Sequence, residues 1–313
     1  MTLPSLARFF FGRRPGLIPL RDRLAYAPYL VQLVVTRRCN LRCGYCNEYD
    51  RTSAPVAWDD LVARVGRIRA LGALAVEFTG GEPLLHPRLV DLVRLATECD
   101  FPRRMLISNA VLLDDDAIDG LNDAGLTDLQ VSVDGARASA TTRKTLDVLR
   151  ERLIRLAERA RFRVVVSAVV GACPPEETLE TIDSARALGL RPRVLLLHDG
   201  TGQLEPDAAV ARGYRAATAR VGRREAGGYR DRLLAGRAAP FRCRAGSRYL
   251  YVDEHGDAHW CSQQAARFAR PLLEYGPADL AAQFRLPKGA CADRCTIGCA
   301  RTCSAPDAWR AQG

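Results

Sequence analysis

The run LVQLVVTRRCNLRCGYC occupies residues 30–46, and TGGEPLL follows at 79–85. An apolar, β-branched stretch breaking straight into cysteines reads as a strand followed by a loop. Cys39, Cys43 and Cys46 are spaced C-x3-C-x2-C, and such a loop can wrap thiolates around three irons of a cubane cluster. Iron–sulfur clusters normally take four cysteines, and the local set stops at three. A metal site closed by four protein ligands tends to be structural, while a free position can take a reactant; we extend that logic from zinc. Zinc itself is the competing occupant, and the nearest histidine that could complete its shell is His86. In TGGEPLL the paired glycines Gly80 and Gly81 let the backbone approach a ligand closely.

Working outward, β-rich runs alternate with amphipathic stretches from residue 30 to about 222. The strand candidates are 30–36, 74–79, 104–108, 128–134, 162–170 and 192–198. Residues 57–71 place Leu61, Val62, Val65, Ile68 and Leu71 on one helical stripe, and 142–160 repeat this with Leu146, Leu149, Leu153, Leu156 and Ala160. Six β–α alternations imply an α/β fold of parallel strands with helices outside. Six is short of a closed eight-fold barrel. In such architectures active residues gather at the C-terminal ends of the strands. Those ends are marked here by Cys39, Gly80, Ser108-Asn109, Ser132 with Asp134, and His198-Asp199. Residues 223–240 are polar and rich in Gly and Arg, and read as a linker.

The cysteine run and Gly80-Gly81-Glu82-Pro83 together resemble the radical S-adenosylmethionine (SAM) superfamily, over roughly residues 30–200. The resemblance implies a partial (β/α)6 barrel over 30–222. It implies a 4Fe–4S cluster on Cys39, Cys43 and Cys46 whose open iron chelates SAM, and reductive cleavage of SAM to a 5′-deoxyadenosyl radical that abstracts hydrogen from substrate. It places Tyr45 at the adenine and the Gly80–Pro83 segment at the SAM amino group, with Glu82 as acceptor. Ser108, Asn109, Ser132 and Asp134 fall where the family contacts the ribose and carboxylate, and Arg143 and Lys144 are candidates for the carboxylate. His198 and Asp199 are the candidates for catalytic contact with substrate. An electron donor such as flavodoxin or ferredoxin is implied as a partner.

The second signal lies in residues 241–313. Cys243 and Cys261 frame CRAGSRYLYVDEHGDAHWC, with four residues between Gly256 and the second cysteine. This resembles the opening of the SPASM and Twitch extensions, which hold auxiliary iron–sulfur clusters. YLYVDEHGDAHW also reads as a β-hairpin that would bring the two cysteines together. Cys291, Cys295, Cys299 and Cys303 follow at four-residue spacing, which departs from both extensions. A continuous helix would spread Cys291 and Cys303 over about 18 Å, too far for one cubane. Either the helix breaks, with Gly298 the candidate, or not all four are ligands. Six candidates suit one closed auxiliary 4Fe–4S cluster and fall two short of two. A structural zinc site is the alternative. Cys99 and Cys173 stand alone and read as small buried hydrophobes.

Bulk composition narrows the rest. The 313 residues are 48% hydrophobic, enough for a large packed core. No secretory signal and no run of 18 apolar residues is visible, so the clustered cysteines among the eleven read as metal ligands in a cytoplasmic protein rather than as disulfides. Net charge is +10, carried almost wholly by arginine, with Lys144 and Lys288 the only lysines. Such charge attracts acidic peptides, nucleic acid or anionic lipid without choosing among them; no motif singles out nucleic acid, which is not expected as a partner. In the N-terminal extension, 1–29, LPSLARFFFGRRPG groups apolar residues opposite Arg8 and reads as an interfacial helix with peripheral membrane contact. The leading reading is an enzyme acting on a C–H bond of a peptide, small molecule or lipid precursor, in a net oxidation. The competing class is a non-catalytic iron–sulfur or zinc protein on the same scaffold.

Overall fold

Strands rich in Val, Leu and Ile that are buried on both faces need a layer of helices on at least one side, and this chain supplies it. The structure, a computed structural model, describes residues 18–139, 142–204, 207–222 and 228–310. The proposed interfacial helix at 2–14 lies outside the described residues. Helix α1 (Leu20–Tyr26) leads into β1 (Leu30–Thr36), every residue of which is buried. There follow α2 (Trp58–Ala70), β2 (Ala75–Gly80), α3 (Leu89–Glu98), β3 (Arg103–Ser108), α4 (Asp115–Ala124) and β4 (Asp128–Val133). The series continues with α5 (Leu146–Arg159), β5 (Arg163–Val170), α6 (Pro175–Ala187), β6 (Arg191–Leu196) and α7 (Ala208–Val221). Strands β1 to β6 pair in parallel, each with the next. The expected strand bounds are met to within a residue or two, the ordinary scatter of element ends.

Leu61, Val65 and Ile68 of α2 and Leu149, Leu153 and Leu156 of α5 enter one continuous core beneath the sheet. Val62 departs from the expected stripe and is exposed. Helix α5 starts at Leu146 rather than 142, and Ala160 is its C-cap. The segment read as a linker contains α8 (Tyr229–Leu234), whose Arg230, Leu233 and Leu234 are buried.

The hairpin forms as expected, from β7 (Tyr249–Val252) and β8 (Asp257–His259), with Tyr251 opposite His259. Its placement was not foreseen. Strand β7 pairs in parallel with β1, Leu30 against Tyr249, and β8 pairs with the short β9 (Arg270–Pro271). One sheet therefore runs β6-β5-β4-β3-β2-β1-β7-β8-β9, nine strands long and open at both ends. The barrel is partial, and the cysteine-rich region continues its sheet.

Helices α9 (Pro277–Arg285), α10 (Gly289–Asp293) and α11 (Gly298–Ser304) close the chain. The tail cysteines are thus not on one helix, because 294–297 interrupts it and Gly298 opens α11. Arg248 fixes this region to the barrel. Its buried guanidinium pairs with Asp307 at 2.7 Å and donates to the Ala27 carbonyl at 2.8 Å. None of the described helices is long and apolar enough to cross a membrane.

Candidate active site

The two motifs of the N-terminal half form one unit. Past β1, Cys39 N–H donates to the Asp50 carbonyl at 3.0 Å and Asp50 N–H to Arg37 at 2.9 Å, pinching residues 37–50 into a closed loop. Cys46 N–H donates to the Cys43 carbonyl at 3.1 Å, a tight turn that groups the last two cysteines. The glycine segment lies directly against this loop's entry. Gly81 N–H reaches Thr36 O at 2.8 Å and Glu82 N–H reaches Arg38 O at 2.9 Å. A Cβ on Gly81 would sit 2.3 Å from the Arg37 carbonyl oxygen, and one on Gly80 would sit 2.0 Å from that of Thr36. The glycines therefore serve first to admit the chain's own backbone, although both also line the cavity.

Glu82 requires a correction. It is fully buried and does not line the cavity. Its carboxylate accepts from Leu84 N–H (3.0 Å), Ser108 Oγ (2.8 Å) and Asn109 N–H (2.7 Å). Burial pushes its pKa up, and these donors pull against that. Glu82 holds the end of β3 in place rather than facing a ligand. Pro83, at the start of the 3-10 turn Pro83–Leu85, is buried as well. Ser108 and Asn109 do line the cavity. Asn109 Nδ2 donates to Asn40 Oδ1 at 2.8 Å and lies 3.9 Å from Cys39 Sγ.

A second polar group sits on the far side. Tyr45 OH and Thr142 Oγ1 donate to the same Asp134 oxygen at 2.5 and 2.7 Å, and Lys144 Nζ lies 3.4 Å from it. Lys144 Nζ is also 5.0 Å from the centre of the Tyr45 ring. Burial beside Asp134 drives the Tyr45 phenol pKa far up, so it remains a donor. The other Asp134 oxygen is buried without a partner among the described residues. Lys144 lines the cavity, whereas Arg143 is exposed and outside it.

The cavity between these walls measures about 320 Å³. Ser132 and the last residues of β6 border it, Gln32 forms its floor, and Ser262 and Gln263 reach over from the C-terminal region. His198 is at its mouth, with Nδ1 2.7 Å from the Asp199 carbonyl. Asp199 is exposed and off the cavity, its carboxylate accepting from Thr201 N–H, Thr201 Oγ1 and Gln203 N–H, each at 2.8 Å. It forms the turn and leaves His198 as the candidate for substrate contact. Three site features had not been singled out. Gln32 is held by buried Glu77 at 2.6 Å, Thr142 bridges Asp134 and Cys43, and Glu48 receives Gln263 at 3.0 Å and Tyr251 at 3.4 Å. Gln32 and Glu77 were detectable as polar residues inside otherwise apolar strands.

The donors fit an iron–sulfur cluster. All three thiols border one cavity. Burial raises the pKa of Cys39 and Cys46, opposed at Cys39 by the Leu41 N–H and at Cys46 by the Glu48 N–H and Lys144. Metal loading must therefore displace protons. His86 is engaged elsewhere, with Nε2 3.0 Å from Val56 O and Nδ1 accepting from Arg88 N–H. Among the described residues no three His, Cys, Asp or Glu side chains converge on a single-ion site; a cubane, with its ligands on separate irons, does not need that convergence.

The six C-terminal cysteines lie close together and differ in their electrostatic neighbours. Cys243, Cys261, Cys295 and Cys303 share one buried cluster with Cys299 packed against it, and Cys291 lies on α10. Burial raises Cys243, Cys261 and Cys295, and these three with Cys291 further disfavour one another's ionisation. Cys299 and Cys303, on α11, are instead raised by burial and by Glu77 in the barrel floor. Cys173 Sγ is 3.4 Å from Thr178 Oγ1 and, like Cys99, is far from these cysteines in the chain and only half-buried.

The profile of the Radical SAM superfamily matches residues 33–207. Over 135 residues the chain is 38% identical to the PqqA peptide cyclase of Rhodopseudomonas palustris, covering 39% of this chain and 36% of that protein. Over 152 residues it is 33% identical to the GTP 3′,8-cyclase of Chlorobaculum tepidum, covering 48% of this chain and 42% of that one. The chain thus spans less than half the length of these relatives. Among solved structures, Streptococcus suis SuiB bound to precursor peptide SuiA superposes with a TM-score of 0.66 at 16% identity, over 85% of this chain and 68% of that one. The anSMEcpe structure with bound AdoMet and Cp18Cys peptide gives 0.61 at 14% identity, over 86% and 88%.

Proposed function

The chain belongs to the radical SAM superfamily, which binds a 4Fe–4S cluster and SAM, and from that premise we propose that it oxidises a peptide substrate with the help of one auxiliary cluster. The observation that carries the reading is the convergence of the Cys39–Cys46 loop, the Gly80-Gly81 segment and the Tyr45 and Lys144 side chains, both held by Asp134 behind them, on one cavity at the C-terminal strand ends. When bound, the cluster and SAM supply a carbon radical that can abstract hydrogen. The protein's own residues position and enclose. Cys39, Cys43 and Cys46 hold the cluster. Tyr45 and Lys144, fixed on Asp134, offer an aromatic face and a cation to SAM. Gln263, tied to Glu48, covers the cavity and limits access of water. Cys243, Cys261, Cys291 and Cys295 form a complete set for a closed auxiliary cluster, whose role is then electron transfer.

A peptide is favoured as substrate because the peptide cyclase relatives and the SuiB and anSMEcpe folds are, by name, peptide-directed. The GTP 3′,8-cyclase likeness is the small-molecule alternative. Anaerobically reconstituted protein with SAM and reductant should release 5′-deoxyadenosine. With a peptide substrate carrying deuterium at the reacting carbon, the label should move to 5′-deoxyadenosine and the peptide should lose two hydrogens by mass spectrometry. Label transfer from GTP, with none from any peptide, would overturn the peptide reading.

A further inference from the structure

A second cavity, larger than the first at about 820 Å³, opens between β6 and α11. Five arginines line it: Arg193, Arg230, Arg232, Arg242 and Arg301; no Asp or Glu is among its described lining residues. Arg193 and Arg230 converge there, since a Cβ on Gly298 would meet Nη2 of one at 3.4 Å and of the other at 3.5 Å. Arg193 donates to the Gln130 amide at 2.9 Å, Arg232 to the Ala238 carbonyl at 3.0 Å, and Arg301 to the Cys295 and Ala239 carbonyls at 2.7 Å each. None of these three forms an ion pair among the described residues. Elsewhere the protein matches many of its arginines to carboxylates, as at Arg248–Asp307 and Arg103–Asp128. Burial lowers the Arg230 pKa, and Arg193 and Arg301 lower it further. Like charges gathered this way are stabilised by a bound anion.

We propose that this cavity docks a carboxylate-rich segment of the peptide substrate; the proposal rests on the peptide reading above. Guanidinium forks match carboxylates bidentately. The cationic groups are spread round a wide cavity and interleaved with Val194, Val221 and the rings of Tyr229 and Phe241. One phosphate would engage one or two of them, whereas acidic side chains alternating with apolar ones can engage the whole lining. Position supports the role. Strand β6 borders this cavity at Arg193 and Val194 and the active cavity from Leu195 to His198. Val194 and Leu195 are consecutive, and Arg193 to His198 is five residues, ~16 Å of extended chain, a span that a bound peptide can cross.

The test uses the full chain with its clusters reconstituted and a fluorescein-labelled probe, Glu-Leu-Glu-Glu-Tyr-Glu, read by anisotropy. The probe should bind saturably and its Gln counterpart should not. Arg230→Gln combined with Arg242→Gln should weaken binding at least about tenfold, and Arg232→Glu at the rim should do so independently. Arg191→Gln, exposed on the same strand but outside the cavity, should change affinity by less than about twofold. Iron content and substrate-free 5′-deoxyadenosine release should match wild type, since none of these residues borders the active cavity. Arg301 is left intact because it anchors the Cys295 loop. Equal probe binding by all variants, or tighter binding of inorganic phosphate with displacement of the probe, would overturn the proposal. Peptide turnover by the double variant at wild-type KM would also overturn it, while leaving the peptide reading standing.

Discussion

Replacing Glu82 with Ala separates two roles for the glycine–glutamate segment. The carboxylate accepts three donors in a site closed to solvent. Each buried donor left without a partner costs about 1–3 kcal/mol, so with partial relaxation the loss is about 3–5 kcal/mol. At ~2.1 cal/mol/K of unfolding entropy per residue, a chain of this length should melt about 5–8 °C lower. SAM affinity should fall with it, because Ser108 and Asn109 border the cavity and lose their anchor. The assays are thermal unfolding of the metal-free protein by circular dichroism and SAM binding to the reconstituted form by calorimetry. A double-mutant cycle with Ser108→Ala should show coupling of about 1–2 kcal/mol in stability. The reasoning is refuted if Glu82→Ala melts like wild type yet loses tenfold or more in SAM affinity. That result would put the carboxylate on the ligand.

Replacing Cys39, Cys43 and Cys46 together with Ala should abolish 5′-deoxyadenosine formation and one cluster's iron while the second cluster's absorbance persists. Tyr45→Phe, which deletes the bond to Asp134, should weaken SAM binding roughly five- to tenfold, about 1–1.5 kcal/mol, with iron content unchanged in a colorimetric assay. Arg248→Met removes the buried ion pair with Asp307 and should cost about 3–5 kcal/mol, measured by urea unfolding. Burial alone would raise the Asp128 pKa, but Arg103 and Arg163 hold it below its ordinary value. Its stabilisation is therefore complete above pH ~4 and lost as pH falls through the lowered value. Asp128→Asn should flatten that acid limb of the stability profile.

The parallel strands were legible because Val-, Leu- and Ile-rich runs of six to eight residues recur between helical stripes, and the structure keeps them almost residue for residue. The junction of the two halves was not read. Tyr249–Val252 is buried along its whole length, and its unbroken apolar run, YLYV, was a sign of covering on both faces, but its partner β1 is remote in sequence. Val62 looked like a stripe residue because spacing alone cannot fix the stripe's edge. Glu82 and Asp199 look like ligands in sequence, since an acidic residue beside a turn reads the same whether it faces solvent, ligand or the chain's own N–H groups. Arg143 and Lys144 are adjacent, and only the fold shows which one turns inward. The separation of Cys291 and Cys295 from Cys299 and Cys303 depends on the break at 294–297, for which Gly298 gave only an approximate position.

The pairing of Leu30 with Tyr249 also imposes a timetable on synthesis. At roughly 5–20 residues per second, about 10–45 s pass between emergence of β1 and emergence of the strand that covers its outer edge. Throughout that interval a mostly apolar strand carries an uncapped row of backbone donors and acceptors, the kind of surface that recruits other chains. The Cys39–Cys46 loop is complete long before the Cys243–Cys295 set exists. The nascent protein can therefore acquire its first iron while its sheet is still unfinished, and a delay in translation between residues 46 and 249 prolongs its exposure to aggregation.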